Sequence, residues 1–170
     1  AGTVRINAPE PAIDLVLAAV ESGAHDCAPR LVWGHNGETV PRLYRSARKG
    51  ARYERSIGLL RQVSALPDVE GKSALMLGLG ETRDEVLTVM RDLRDAGVQR
   101  LSLGQYLRPT RDHLPVLEYV HPERFAEYED AGRGMGFTWI KAGPLVRSSY
   151  HAEELQGGCQ TVTNNSNEGA

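Results

Sequence analysis

The sequence predicts an α/β fold built on parallel strands, a partial (β/α) barrel or an open sheet. Two observations carry this. Short apolar runs such as SALMLGLG, residues 73–80, alternate with amphipathic helical segments, the signature of βαβ units joined by right-handed crossovers. The loops that leave the strands, HNGETVPR, GLGET, GQYLRPTRDHLP and GPLVRSSYHA, are rich in polar groups, whereas the opposite loops, SALPDVEG and DAGVQR, carry plain turn chemistry. Parallel folds gather their chemistry at the carboxyl ends of the strands, so one face is expected to hold a ligand.

Each element has a local reason. Ile13, Val16, Leu17 and Val20 recur at helical spacing over residues 9–22 and stop before Gly23. RLVWG is a short apolar run that breaks into the polar HNGET. A second helix is expected over residues 52–65, with Ile57, Leu60 and Val63 as its buried stripe and Pro67 past its end. The run 73–80 is continuously apolar, as in a strand covered on both faces. Thr82 and Glu85 form a capping box, Val86, Val89, Met90, Leu93 and Ala96 share a face, and Gly97 suits the residue after the helix. RLSLGQYL is the next strand, Pro122 starts a helix that reaches about Gly134, and FTWIKAG is the last strand.

Composition narrows the function. A chain of 170 residues, 41% hydrophobic and 25% charged, fits one soluble domain. A net charge of −2 argues against broad nucleic-acid binding, and no apolar run approaches membrane-spanning length. The two cysteines, Cys27 and Cys159, are far apart and outside any CxxC pattern, which points to a reducing cytoplasm and to no cysteine cradle for zinc or iron–sulfur. The tail after residue 152 lacks periodicity and is expected to be disordered.

Several constellations could carry chemistry. Asn36 and Glu38 could grip a vicinal diol or an amine; equally, Asn36 and Gly37 could shape a turn with Glu38 solvated. Gly78 and Gly80 in GLGE permit close approach of backbone, or simply lead into a helix beside Glu81. Arg55 opposes the macrodipole in the first turn of its helix, a conflict that an anionic ligand group would remove. Arg42, Arg45, Arg48 and Lys49 form a basic run, solvated or facing an acidic partner. Tyr106, Arg108 and Arg111 fit either an acid-binding loop or a solvated one, and His113 could be a metal ligand or a base, or simply a surface residue.

Taken together, HNGETVPRLYR, RYERSIGLL, KSALMLGLGET, LSLGQYLRPTRDHLPV and GPLVRSSYHA resemble, in one order, the carboxyl-terminal half of lipoyl synthase, a radical S-adenosylmethionine family. The resemblance runs from about His35 to Ala152. It implies the carboxyl-terminal half of a TIM-like barrel, occupying residues 1–152. It also implies sulfur insertion at C6 and C8 of a protein-bound octanoyl-lysine, with two [4Fe–4S] clusters and S-adenosylmethionine as cofactors. An octanoylated lipoyl domain or H-protein would be the substrate, and flavodoxin or ferredoxin the reductant. The compartment would be the cytoplasm, or a mitochondrion or plastid in a eukaryote.

The resemblance also assigns residues. A serine of RSSY completes the sulfur-donor cluster, here Ser149 with Ser148 as the alternative, and Arg147 is the implied catalytic residue, poised to touch that cluster or the hydroxyl before it ligates. The related biotin synthase pattern HNxDT followed by YxER assigns Asn36 and Glu38 to the ribose and Arg55 to the carboxylate of S-adenosylmethionine. Backbone around Leu77 and Leu79 would line adenine, Glu81 would fix that loop, and Gln105 would lie against adenine from the next strand.

The departure from the family is large, because both cysteine triplets that hold the clusters are missing. The resemblance therefore implies a fragment, inactive by itself, with the strand near Leu31–Trp33 left at an open edge. Two other functions fit the same residues: a non-catalytic half-barrel that binds S-adenosylmethionine, and an unrelated barrel enzyme using Glu81 or His113 as an acid–base group.

Overall fold

The computed structural model describes residues 31–148, so the helix expected over 9–22, Ser149 and the tail after 152 lie outside the described residues. Four strands alternate with helices: β1 (Leu31–Gly34), a 3₁₀ turn (Pro41–Leu43), α1 (Tyr44–Ala47), α2 (Tyr53–Ser64), β2 (Val69–Leu77), α3 (Arg83–Asp95), β3 (Val98–Gln105), α4 (Pro122–Gly134) and β4 (Trp139–Gly143). The sheet order is β1-β2-β3-β4 and every pairing is parallel. Each strand thus lies beside the next in sequence, which is how a (β/α) barrel winds, not a doubly wound sheet. Among the described residues β1 is an edge strand, as the resemblance implied.

The helices form one layer, with α2 against α3 and α3 against α4. Leu60 and Val63 of α2, Val86, Met90 and Leu93 of α3, and Leu101 and Leu103 of β3 are fully buried between that layer and the sheet. The strand residues between them, Glu70, Lys72, Ala74, Met76, Arg100, Ser102 and Gly104, face the other way by the two-residue period of a strand. Near the amino ends this second face is charged and paired: Arg100 Nε donates to Glu70 at 2.5 Å, and Lys72 Nζ lies 5.3 Å from the Trp139 ring centroid. Near the carboxyl ends it is small and apolar, and there a cleft opens.

The α3 capping box forms as expected: Thr82 Oγ1 accepts from the Glu85 N–H, and the Glu85 carboxylate accepts from the Thr82 N–H. Strand boundaries differ from expectation: β3 runs from Val98 to Gln105 rather than over 100–107, β4 starts at Trp139 rather than Phe137, and β2 shifts at both ends. β2 begins at Val69, where VEGK resembles a turn, because Val69 to Lys72 pair in parallel with Leu31 to Gly34 of β1; Gln99 Oε1 also accepts the Gly71 N–H at 2.7 Å where a register shift interrupts the β2–β3 ladder. It ends at Leu77 rather than Gly80, because Gly78 takes φ +104° and leaves the ladder. The basic run also acquires structure that periodicity did not indicate, the 3₁₀ turn and α1. No helix among the described residues is long and apolar enough to cross a membrane.

Candidate functional site

The loop after β1 is built residue by residue. His35 continues the ladder, its N–H donating to the Lys72 carbonyl at 3.0 Å. Gly37 is held from both sides: its N–H donates to Ser73 Oγ at 3.1 Å, and its carbonyl accepts from the Tyr44 hydroxyl at 2.8 Å. Glu38 then rejoins β2, donating to the Ala74 carbonyl and accepting from the Met76 N–H at 2.7 Å. It does so at φ +66°, a left-handed conformation uncommon for a residue with a Cβ. Such geometry persists where the surroundings over-determine it, and it clusters at functional sites.

Behind this loop lies a network that the sequence did not reveal. Ser56, in the first turn of α2, contacts both His35 Nε2, at 3.1 Å, and Arg48 Nη1, at 2.9 Å. Arg48 also donates to the Tyr44 hydroxyl at 3.2 Å and reaches His35 Nε2 at 3.4 Å. A guanidinium can only donate, so the approach of Arg48 disfavours a charged imidazolium at His35. Burial first, and then the charge of Arg48, lower the His35 pKa from 6.5 to about 4. The sequence signal was only a basic run; which of its members turn inward depends on the loop before it.

The loop after β2 is pinned by Glu81, whose two oxygens accept the N–H groups of Gly78, at 2.5 Å, and Leu79, at 3.0 Å. The loop after β3 is pinned by Gln105: its Nε2 donates to the Glu118 carbonyl at 3.0 Å and its Oε1 accepts from the Val120 N–H at 2.9 Å. A Cβ on Gly78 would strike Gln105 and the Glu118 carbonyl, so glycine is what lets these two loops meet. Tyr106 is buried with its hydroxyl on the Leu114 carbonyl, and Arg108 donates to the His113 carbonyl, so this loop satisfies itself. His113 is exposed beside Thr110.

The loops after β1 and β3 and the segment after β4 border a cleft of about 160 Å³ over the carboxyl ends of β2 and β3. Asn36, Glu38, Gln105, Arg147 and Ser148 line it with polar groups; Ala74, Met76, Leu107, Leu145 and Val146 supply apolar walls. The geometry thus brings together five expected positions: Asn36, Glu38, Gln105, Arg147 and the alternative serine, Ser148. It does not bring in the others. Leu77 and Leu79 are buried side chains of the core side, and Glu81 is occupied with its own loop. Arg55 is exposed in the first turn of α2 and does not line the cleft. Ser102, on the cleft floor, was not anticipated; its only sequence signal is a polar residue inside an apolar run.

No family model matches the chain. Comparison with curated proteins gives lipoyl synthases. The chain is 55% identical over 143 residues to lipoyl synthase of Thiobacillus denitrificans, which covers 84% of this chain and 44% of that protein. It is 55% identical over 132 residues to lipoyl synthase of Idiomarina loihiensis, covering 77% of this chain and 41% of that protein. It is 57% identical over 138 residues to lipoyl synthase of Burkholderia mallei, covering 81% and 42%.

This chain is a relative of lipoyl synthase, matching its carboxyl-terminal portion.

It spans less than half the length of these lipoyl synthases. The four-stranded parallel sheet agrees with the half-barrel that the resemblance implied. An iron–sulfur centre finds no cradle among the described residues: no group of three His, Cys, Asp or Glu side chains gathers there, and both cysteines lie outside 31–148. The donor set for a cluster is therefore not met by these residues. An amide and a carboxylate, Asn36 and Glu38, line the cleft, and the loops after β1 and β3 that border it are held by Ser73, Tyr44 and Gln105.

Proposed function

We propose that this chain provides the S-adenosylmethionine-facing and substrate-facing portion of a lipoyl synthase, acting in sulfur insertion at C6 and C8 of a protein-bound octanoyl-lysine. One observation supports it above the rest: Asn36 and Glu38 share a single cleft with Gln105, Arg147 and Ser148 at the carboxyl ends of parallel strands. Asn36 and Glu38 are proposed to bind the ribose hydroxyls, the carboxylate accepting and the amide supplying both donor and acceptor. Gln105 and backbone near Leu77 and Leu79 would border the adenine, while Glu81 keeps that backbone in place. Arg55 would meet the carboxylate from outside the cleft.

When bound, S-adenosylmethionine supplies hydrogen-atom abstraction; this chain's residues orient the nucleoside and shield it from water. Arg147, with Ser149 or Ser148, is proposed to face the sulfur donor, but no step is derived through a cluster that the described residues do not cradle. The partners in this proposal are an octanoylated lipoyl domain or H-protein and a reductant such as flavodoxin or ferredoxin.

The test is an NMR titration of the chain with S-adenosylhomocysteine. Shifts concentrated on Asn36, Glu38 and Gln105 are expected. Shifts confined to the helical layer, or none at all, would overturn the proposal.

A further inference from the structure

Asn36 and Glu38 both line the cleft, and the glycine between them has each of its two peptides held by a side chain from another segment. The Asn36–Gly37 peptide donates its N–H to Ser73 Oγ at 3.1 Å. The Gly37–Glu38 peptide accepts at its carbonyl from the Tyr44 hydroxyl at 2.8 Å. Because a peptide is planar, each bond fixes the direction in which the adjoining Cα sends its side chain. The second bond bears on the harder geometry. Just past it Glu38 takes φ +66°, a conformation that a residue with a Cβ keeps only where its surroundings impose it.

Tyr44 is 4% exposed, its ring edge-on to Tyr53 with centroids 5.6 Å apart. That packing needs a ring and not a hydroxyl; the hydroxyl acts on the Gly37 carbonyl. Arg48 stands behind it. Its Nη1 donates to the phenol oxygen at 3.2 Å and to Ser56 Oγ at 2.9 Å, and its guanidinium carbon lies 5.6 Å from the Tyr44 ring centroid. A cation that donates to a phenol oxygen makes the phenol a stronger donor in turn. Neither Tyr44 nor Arg48 lines the cleft, so both can reach a ligand only through the loop they hold.

We infer that Tyr44 and Arg48 are positioning residues for Asn36 and Glu38: the guanidinium polarises the phenol, the phenol holds the Gly37 carbonyl, and the amide and carboxylate on either side are set at the spacing of two ligand hydroxyls. This rests on the proposed ribose role of Asn36 and Glu38 and extends it to two groups that touch no ligand. Loss of the phenol's hydroxyl leaves the apolar walls of the cleft in place and loosens only the spacing of the two polar groups. The effect falls on selectivity for a diol rather than on binding as a whole.

The experiment measures S-adenosylhomocysteine and its 2′,3′-dideoxy counterpart by calorimetry against the chain, Tyr44→Phe, Arg48→Met and Tyr53→Phe, with a urea midpoint for each. Tyr44→Phe is expected to weaken S-adenosylhomocysteine about ten-fold and leave the dideoxy ligand unchanged, so that the preference for hydroxyls collapses. Arg48→Met, which keeps the phenol but removes its donor, lowers the preference by a smaller factor. Tyr53→Phe loses a hydroxyl from the same ring pair, but that hydroxyl donates to Asp92 of α3 at 2.6 Å; it is expected to lower the urea midpoint and keep the preference. A full preference in Tyr44→Phe overturns the inference and leaves the proposed function standing. So does an equal loss of both ligands, which would mean that the hydroxyl serves the fold, and so does a preference lost in Tyr53→Phe as well. Should Tyr44→Phe not fold, Arg48→Met decides on the same ratio: a lowered preference upholds the inference and an unchanged one overturns it. A parent chain with no preference for hydroxyls overturns the inference and the ribose reading together.

Discussion

Arg42 grips Glu85 with two nitrogens, Nε donating to Oε1 at 2.7 Å and Nη2 to Oε2 at 3.0 Å, and the same Nη2 donates to the Gly80 carbonyl at 2.8 Å. The pair joins the segment after β1 to the loop after β2, the two segments that carry HNGET and GLGET. Glu85 also closes the α3 capping box, so one carboxylate serves a fork-shaped cation and a helix end together. Glu85→Ala removes both and is expected to cost about 1–2 kcal/mol, read as a lower urea midpoint at constant slope. Arg42→Met, which leaves the capping box, should cost less.

The same contact predicts an acid response. Arg42, then the Thr82 N–H, hold the Glu85 pKa down at about 2 from an ordinary 4.5. A depressed carboxylate contributes stability that is present above 4.5 and lost as pH falls through that value toward 2. Urea midpoints taken between pH 5 and pH 2.5 should fall more steeply for the parent chain than for Glu85→Gln.

His35 gives a separate window. Its neutral ring is preferred in the folded state, with a pKa of about 4 against an ordinary 6.5. Between those values the unfolded chain binds the extra proton, so stability falls as pH drops from 6.5 toward 4. Thermal melts at pH 7 and pH 5 should differ more for the parent than for His35→Asn. Equal slopes would place the imidazole in solvent rather than against Ser56 and Arg48.

Gly104 sets the cleft wall. A Cβ there meets the Val146 carbonyl, a backbone atom that cannot swing aside. Gly104→Ala is expected to cost about 1–3 kcal/mol and to displace residues 144–148. Leu101→Ala, fully buried behind the same strand, is expected to cost about 2–5 kcal/mol without moving that wall. Urea unfolding gives the stabilities, and NMR shifts of Val146 to Ser148 separate the two effects.

Much of the architecture was legible in the sequence because its signals are local. Thr82 and Glu85 announce α3 wherever they occur in the fold, and Pro122 starts α4 by its own geometry. Asn36, Glu38 and Gln105 were legible because polar residues just past a parallel strand share a rim. Arg48 and His35 were not, because their meeting depends on how Gly37 is held by Ser73 and Tyr44, residues distant in sequence. The start of β2 was missed for a similar reason: Val69 to Lys72 are made a strand by pairing with β1, distant in sequence, which no pattern within VEGK reveals. Arg55 opposes its helix dipole and stands exposed outside the cleft, a placement that spacing in the sequence does not reveal.

The central claim is that Glu38 and Asn36 hold a ribose. Calorimetry of S-adenosylhomocysteine and its 2′,3′-dideoxy counterpart, each with the chain and with Glu38→Ala, tests it as a cycle. The chain should prefer the hydroxylated ligand about ten-fold or more, and Glu38→Ala should erase most of that preference. A preference that survives in Glu38→Ala, or one absent from the parent chain, would contradict it.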